Sequence, residues 1–171
     1  MARPFRGGAV GNLEGQAEGV GGTRSPAVTG VLHYLVSMLL DLSSLRKALA
    51  SLDRGALRAL SAPGDEELRD AVIQRFEYTY ELAWKMLKRH LEQVVPDPAK
   101  MDGLSFRELI REGAERGILA EVEPWFEYRH QRNQTSHAYD AVAAQRVFET
   151  ALSFREAARL LLAELDRRNV E

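Results

Sequence analysis

The nine residues Arg132-Asn133-Gln134-Thr135-Ser136-His137-Ala138-Tyr139-Asp140 bring together an arginine, an asparagine, two hydroxyls, a histidine and a tyrosine. No other stretch of the chain is as dense in chemically useful side chains. A histidine exchanges protons near neutral pH, and an arginine offers a planar fork of donors to a phosphate or carboxylate. In a regular helix, residues five apart diverge by about 140°, while residues three or four apart share a face. Arg132 and His137 therefore converge only where the helix bends or restarts, or where the arginine wraps round. Thr135 and Ser136 are good helix caps, which makes a restart there reasonable. Asn133 and His137, four apart, share a face if the helix runs on. The same residue types also suit an exposed helix boundary with His137 capping or packing, and types alone favour that plainer account.

Several other chemistries lack their residues. There is no cysteine, hence no thiolate nucleophile and no disulfide framework. The histidines at 33, 90, 130 and 137 have no metal-ligand spacing, and neither His-Glu-x-x-His nor Gly-x-Ser-x-Gly occurs. No phosphate-binding Gly-x-x-x-x-Gly-Lys loop is present. Neither a metal nor a cofactor is expected.

The segments that must position the cluster all have helical periodicity, with no strand signal and no internal repeat. Leu42, Leu45, Leu49, Leu52, Leu57 and Leu60 form a stripe that predicts a first helix from about residue 39, or even 31, to 60. Ser61-Ala-Pro-Gly64 breaks it. Asp65 then serves as an N-cap, with Glu66 and Glu67 in the favoured first turn. Leu68, Val72, Phe76, Tyr80, Trp84, Leu87 and Leu91 hold the helical period for more than six turns. This aromatic stripe reads as core in preference to a base-stacking platform. Glu77 and Glu81, with Lys85, Lys88 and Arg89, read as a solvated face; Glu81 pointing toward the cluster is the weaker alternative. Pro96-Asp-Pro98 ends that helix. Ser105-Phe-Arg-Glu108 is a capping box, and Gly117 is a C-terminal glycine. Glu123-Pro124 opens a further helix, which Trp125, Phe126 and Tyr128 seat in the core. A last helix is predicted from about residue 136 to 168, with Val142, Ala151, Phe154, Leu161 and Leu165 inward and Phe148, Leu152 and Leu162 widening that face. The fold class is all-α, an up-and-down bundle of about five helices.

The 171 residues suit one domain plus a tail, and 45% apolar with 28% charged residues is ordinary for a globular protein. A net charge of −2 excludes nucleic-acid binding by bulk charge, so any RNA contact must be local. Residues 1–30 hold most of the thirteen glycines and few large aliphatic residues, which reads as a disordered extension ahead of a domain over 39–168. Translation from Met38 is a further expectation. The apolar run at residues 31–40 is too short to span a bilayer and starts too late for a signal peptide, so the cytoplasm is the default location.

The pattern Arg132, four residues, His137, one residue, Tyr139 resembles the RX4HXY signature of the HEPN superfamily. Three further stretches make the chain similar to the HepT-like subfamily of nucleotidyltransferase substrate-binding proteins: Asp41-Leu-Ser-Ser-Leu-Arg-Lys-Ala-Leu49, Phe76-Glu-Tyr-Thr-Tyr-Glu-Leu-Ala-Trp-Lys-Met-Leu-Lys88 and Trp125-Phe-Glu-Tyr-Arg129. The resemblance implies a HEPN-like helical bundle and a toxin-type, metal-independent ribonuclease. In it, the ribose 2′-hydroxyl is the nucleophile, His137 exchanges protons, Arg132 holds the phosphate and Asn133 orients His137 or donates to the same phosphate. It also implies a homodimer that sets two motifs side by side and supplies a second histidine. A minimal nucleotidyltransferase would act as antitoxin by transferring AMP to Tyr139. Arg129 and His130 extend the basic character and are candidate RNA or nucleotide contacts. A different reading is a noncatalytic subunit that binds nucleotide or presents substrate to a nucleotidyltransferase, and a third is a helical dimerisation module.

Overall fold

In the computed structural model, which describes residues 39–135 and 140–170 (Lys100 by its backbone alone), the apolar periods become helices. They are α1 (Ser43–Ser61), α2 (Glu66–Val94), the single turn α3 (Ala99–Asp102), α4 (Phe106–Glu115), α5 (Glu123–Gln134) and α6 (Ala141–Asn169). No strand occurs among the described residues. The predicted first thirty residues, Met38, Ser136, His137 and Tyr139 lie outside the described residues.

The long helix α2 runs between α1 and α6; α6 also packs against α1 and α5, and α4 and α5 rest on α2. This is the expected up-and-down bundle. Its centre is Phe154 on α6, whose ring lies 5.2 Å from Phe76, 6.0 Å from Tyr80, 5.9 Å from Trp125 and 5.2 Å from Tyr128, mostly edge-on. Edge-to-face aromatic pairs add roughly 0.5–1.5 kcal/mol each beyond their burial, so these contacts fix α2, α5 and α6 to one another. Leu45, Leu49, Leu52, Val72, Leu87, Leu91, Val147, Leu161 and Leu165 extend the core along the bundle.

The helix ends are set by the residues that predicted them. Asp65 accepts from the Leu68 N–H at 3.0 Å at the start of α2. At α4, the Glu108 carboxylate accepts from the Ser105 N–H at 2.8 Å and the Ser105 hydroxyl from the Glu108 N–H, a complete capping box. Gly64 (φ +96°) and Gly117 (φ +68°) take left-handed turns that L side chains rarely adopt.

Three sequence expectations are corrected. Helix α1 starts at Ser43, later than residue 39 or 31, and ends at Ser61. Leu57 and Leu60 are more than half exposed, because the five-residue step from Leu52 rotates them off the stripe. Gly55, Ala56 and Ala59 carry the buried face in their place. Finally, α6 begins at Ala141, five residues later than predicted; Asp140 is its N-cap and accepts from the Ala143 N–H at 2.8 Å. Val142, in the first turn, is exposed, and Ala144 and Val147 are the first residues turned inward.

Candidate active site

Helix α5 has one inward edge. Trp125 and Tyr128 are buried, and residues four and seven positions further on share their side of the helix, which brings Arg132 inward at the last turn. The facing helix is α2, where Glu77 and Glu81 present carboxylates one turn apart. Arg132 Nε lies 3.0 Å from Glu81 Oε1, and Nη2 lies 3.9 Å from Glu77 Oε1. The 3.0 Å contact is an ion pair and not an aligned hydrogen bond: the buried Nε–H does not point at an acceptor. Nη1 donates no hydrogen bond to a described residue.

Each glutamate does more than hold the arginine. The other oxygen of Glu81 accepts from the Trp84 indole N–H at 3.2 Å and lies 3.5 Å from Lys85 Nζ. Glu77 lies within reach of the Thr135 hydroxyl at 3.2 Å, and that same hydroxyl also lies 2.8 Å from the Arg132 carbonyl. Since the hydroxyl has one proton, it donates to one of these acceptors at a time. Thr135 thus ties the end of α5, immediately before the Ser136–Tyr139 stretch, to α2.

Beside Arg132 opens a cavity of about 410 Å³, lined by Tyr80, Trp84, Phe106, Arg129, Arg132 and Asn133, with Glu81 and Lys88 at its sides. Tyr80 is almost wholly buried and its hydroxyl has no hydrogen-bond partner. Burial pushes that phenol well above its ordinary value; Arg129 and Arg132 work against the rise and Glu81 adds to it. Tyr80 is therefore a neutral phenol at physiological pH. Arg129 stands exposed over the Phe106 ring, its guanidinium 4.3 Å from the ring centre. Among the described residues it forms no salt bridge, unlike Arg132. Asn133 is exposed, and its amide makes no hydrogen bond with them. His130, also exposed, lines a second hollow on the other side of Phe106.

The structure therefore brings together four of the six residues singled out from sequence: Arg132 and Asn133 at the cavity, Arg129 at its rim, His130 just beyond. The other two, His137 and Tyr139, lie outside the described residues. Sequence reasoning took Glu77 for a solvated residue, although it faces Arg132; the weaker suggestion that Glu81 points toward the cluster matches the contact found. Trp84, read with the core stripe, is half-buried at the cavity wall, and Phe106 was not singled out. The helical period gave the signal for Trp84: it falls on the α2 face that also presents Glu77 and Glu81, seven and three positions earlier.

The domain's relatives are evident from sequence and fold. Residues 40–167 match the family model described as nucleotidyltransferase substrate binding protein like. The chain belongs to this family. Solved structures of similar proteins share its shape. A Haemophilus influenzae structure, reported as revealing the fold of a substrate-binding domain of a nucleotidyltransferase, superposes with a TM-score of 0.70 at 30% identity, covering 74% of this chain and 99% of that one. A Thermus thermophilus crystal structure gives a TM-score of 0.59 at 32% identity over 71% of this chain and 98% of its own. A Haemophilus influenzae protein named probable ribonuclease HepT is 36% identical over 97 residues, a span that covers 57% of this chain and 66% of the relative.

Taken by itself, the described geometry offers an anion site at Arg132 and Arg129, an amide donor and acceptor at Asn133, and a wall of aromatic rings. A phosphate with an adjoining planar group has the chemistry to match these parts.

Proposed function

We propose that this family member is a metal-independent ribonuclease that works with, and is restrained by, a nucleotidyltransferase. The observation that carries the reading is Arg132 itself: a guanidinium held by Glu81 beside an open aromatic cavity, with no hydrogen bond from Nη1 to a described residue. Similarity to a protein named probable ribonuclease HepT and the family's description support the two halves of the proposal.

In this reading the RNA supplies its own nucleophile. His137 takes the proton of a ribose 2′-hydroxyl, whose oxygen attacks the adjacent phosphorus. The P–O5′ bond breaks, leaving a 2′,3′-cyclic phosphate on one product and a 5′-hydroxyl on the other. Arg132 donates to the phosphate oxygens as charge builds on them. Asn133 orients His137 or donates to the same phosphate. One histidine does not readily act as base and leaving-group acid together, so the second comes from another copy in a homodimer. Regulation falls to Tyr139: the partner transfers AMP from ATP to the phenol oxygen and releases pyrophosphate. The resulting anion beside Arg132 would occupy the phosphate site and cancel its charge.

The test uses total RNA with the wild type and the Arg132→Ala and His137→Ala variants, then adds the partner enzyme with ATP. Cleavage confined to the wild type, silenced by the partner through a mass increase of one AMP that Tyr139→Phe abolishes, is expected. Equal cleavage by all three proteins would refute the assigned roles.

A noncatalytic nucleotide- or substrate-binding subunit is the second reading, and one observation favours it. Glu77 and Glu81 together place two carboxylates against the single charge of Arg132, a net negative balance that opposes the build-up of further negative charge on a phosphate there.

A further inference from the structure

Phe106 lies between two hollows. One is the cavity of about 410 Å³ bounded by Trp84, Tyr80 and Arg132; the other, of about 380 Å³, is bounded by Phe126, His130 and Arg107. Phe106, Arg129 and Asn133 line both. The Arg129 guanidinium covers the Phe106 ring at 4.3 Å, and the Arg107 guanidinium covers Phe126 at 4.5 Å. Phe106 also meets Trp84 edge-on at 6.4 Å. Ring and cation thus alternate along the groove, from Trp84 through Phe106 with Arg129 to Phe126 with Arg107. Neither arginine has a carboxylate partner among the described residues, whereas Lys88, at the far wall, is already paired with Asp102 at 2.9 Å and Glu92 at 3.4 Å. Two unpaired planar cations stacked on two phenyl rings match a ligand that alternates negative charge with flat, apolar faces.

We infer that the two hollows astride the Arg129–Phe106 stack form a path for single-stranded RNA, seating one base on each side with the intervening phosphate at Arg129. This deepens the ribonuclease reading and rests on it for the identity of the strand. It assigns Phe106, Trp84 and Phe126 as base-contacting residues and Arg129 as the phosphate contact between them. Each hollow exceeds the lower limit of about 300 Å³ for small-ligand sites and so has room for one base, and a single strand has the unstacked bases that can be splayed into them. Tyr80, almost wholly buried, forms part of the wall of the first hollow. In the second hollow, the exposed His130 is the polar side chain available to a base edge.

The experiment measures binding of a 2′-O-methyl RNA trinucleotide, which the proposed chemistry cannot cut, to full-length protein at several salt concentrations. The proteins are the wild type, Phe106→Leu, Arg129→Gln and, as a control on α1 that lines neither hollow, Arg58→Gln. Phe106→Leu is expected to weaken binding by about fivefold or more, the effect of losing one base–aromatic stack, without altering the salt dependence. Arg129→Gln should weaken it too, and lower the slope of log affinity against log salt by about 0.7, one phosphate contact to a single strand. Arg58→Gln should bind as the wild type does. Circular dichroism confirms that each variant folds. Wild-type affinity in both groove variants would overturn the inference. Equally strong binding of AMP and the trinucleotide would overturn it in favour of a free-nucleotide site. Displacement by polyglutamate as effective as by RNA would overturn it by reducing the groove to a charge effect. Outcomes for the ribonuclease reading remain distinct: RNA cut normally by both groove variants refutes the path alone, and trinucleotide binding with the predicted variant pattern but no cleavage of any RNA refutes the ribonuclease alone.

Discussion

Replacing Glu81 by glutamine separates the two things that residue does. Its carboxylate lies 3.0 Å from Arg132, 3.2 Å from the Trp84 indole nitrogen and 3.5 Å from Lys85. Glutamine keeps an oxygen for Trp84 and removes the charge. Both partners of the ion pair are about one-third exposed, so its loss costs roughly 0.5–1 kcal/mol of stability, or about 2–4 °C in Tm. The effect on an RNA phosphate is larger relative to what is being measured. A phosphate seated against Arg132 would lie about 7 Å from the Glu81 carboxylate, where the repulsion amounts to about 0.6 kcal/mol in water and about 2.4 kcal/mol at an effective dielectric constant of 20. A value near 1 kcal/mol at this partly exposed site corresponds to about a fivefold gain in RNA affinity. Arg132, however, loses the contact that fixes its position, so cleavage itself should slow. The expected signature is therefore a split: KM falls about fivefold and kcat falls with it. Steady-state cleavage of a fluorogenic RNA, with Tm measured alongside, reads both. A higher KM at unchanged kcat would refute the reasoning, because it would make Glu81 a direct RNA contact.

Two further predictions concern the fold that holds the site. Phe154→Ala removes the ring that touches Phe76, Tyr80, Trp125 and Tyr128, and should destabilise the domain by about 3–5 kcal/mol in urea unfolding; a loss below about 1 kcal/mol would show that the cluster does not bind α2, α5 and α6 together. His90 is 5% exposed with an unpartnered Nε2, and burial first, then the Arg168 charge, hold its pKa below the ordinary 6.5, with Glu164 opposing. A group whose folded pKa is depressed in this way binds fewer protons in the native state. Its stability contribution is complete above pH 6.5 and is lost as pH falls from there through the folded value. Glu164, held down to about 2 by Arg167 and Arg168, loses its contribution only below its ordinary 4.5. Between pH 6.5 and 4.5 the wild type should therefore lose stability faster than His90→Leu, as followed by urea midpoints; parallel curves would rule out the buried histidine as the cause.

Much of the fold was legible because its signals are local. Asp65, the Ser105–Glu108 box, Gly117 and Pro124 act through backbone groups within a few residues, and each marks a boundary where the structure has one. The misplaced elements depended on something less local. Leu57 and Leu60 were grouped with the α1 stripe by hydrophobicity, but small residues at 55, 56 and 59 keep the period and face the core. The start of α6 was assigned to the hydroxyls near residue 136, whereas the capping contact belongs to Asp140.

The candidate site was half legible for a similar reason. Arg132 and Asn133 stand out by type, and Arg129 by charge. What surrounds them comes from α2 and α4, and no sequence spacing says that Glu77 and Glu81 meet a residue some fifty positions later. Phe106 gave no signal at all, being one aromatic residue in the first turn of a short helix. Only the packing of α4 and α5 on α2 brings it under Arg129 and opposite Trp84.

The central claim is tested most directly by the products of RNA cleavage in EDTA. Purified wild-type protein should cut a defined single-stranded RNA and leave 2′,3′-cyclic phosphate and 5′-hydroxyl ends, while His137→Ala and Arg132→Ala leave it intact. No cleavage by the wild type, or cleavage that leaves 5′-phosphate ends, would contradict a metal-free reaction driven by the 2′-hydroxyl.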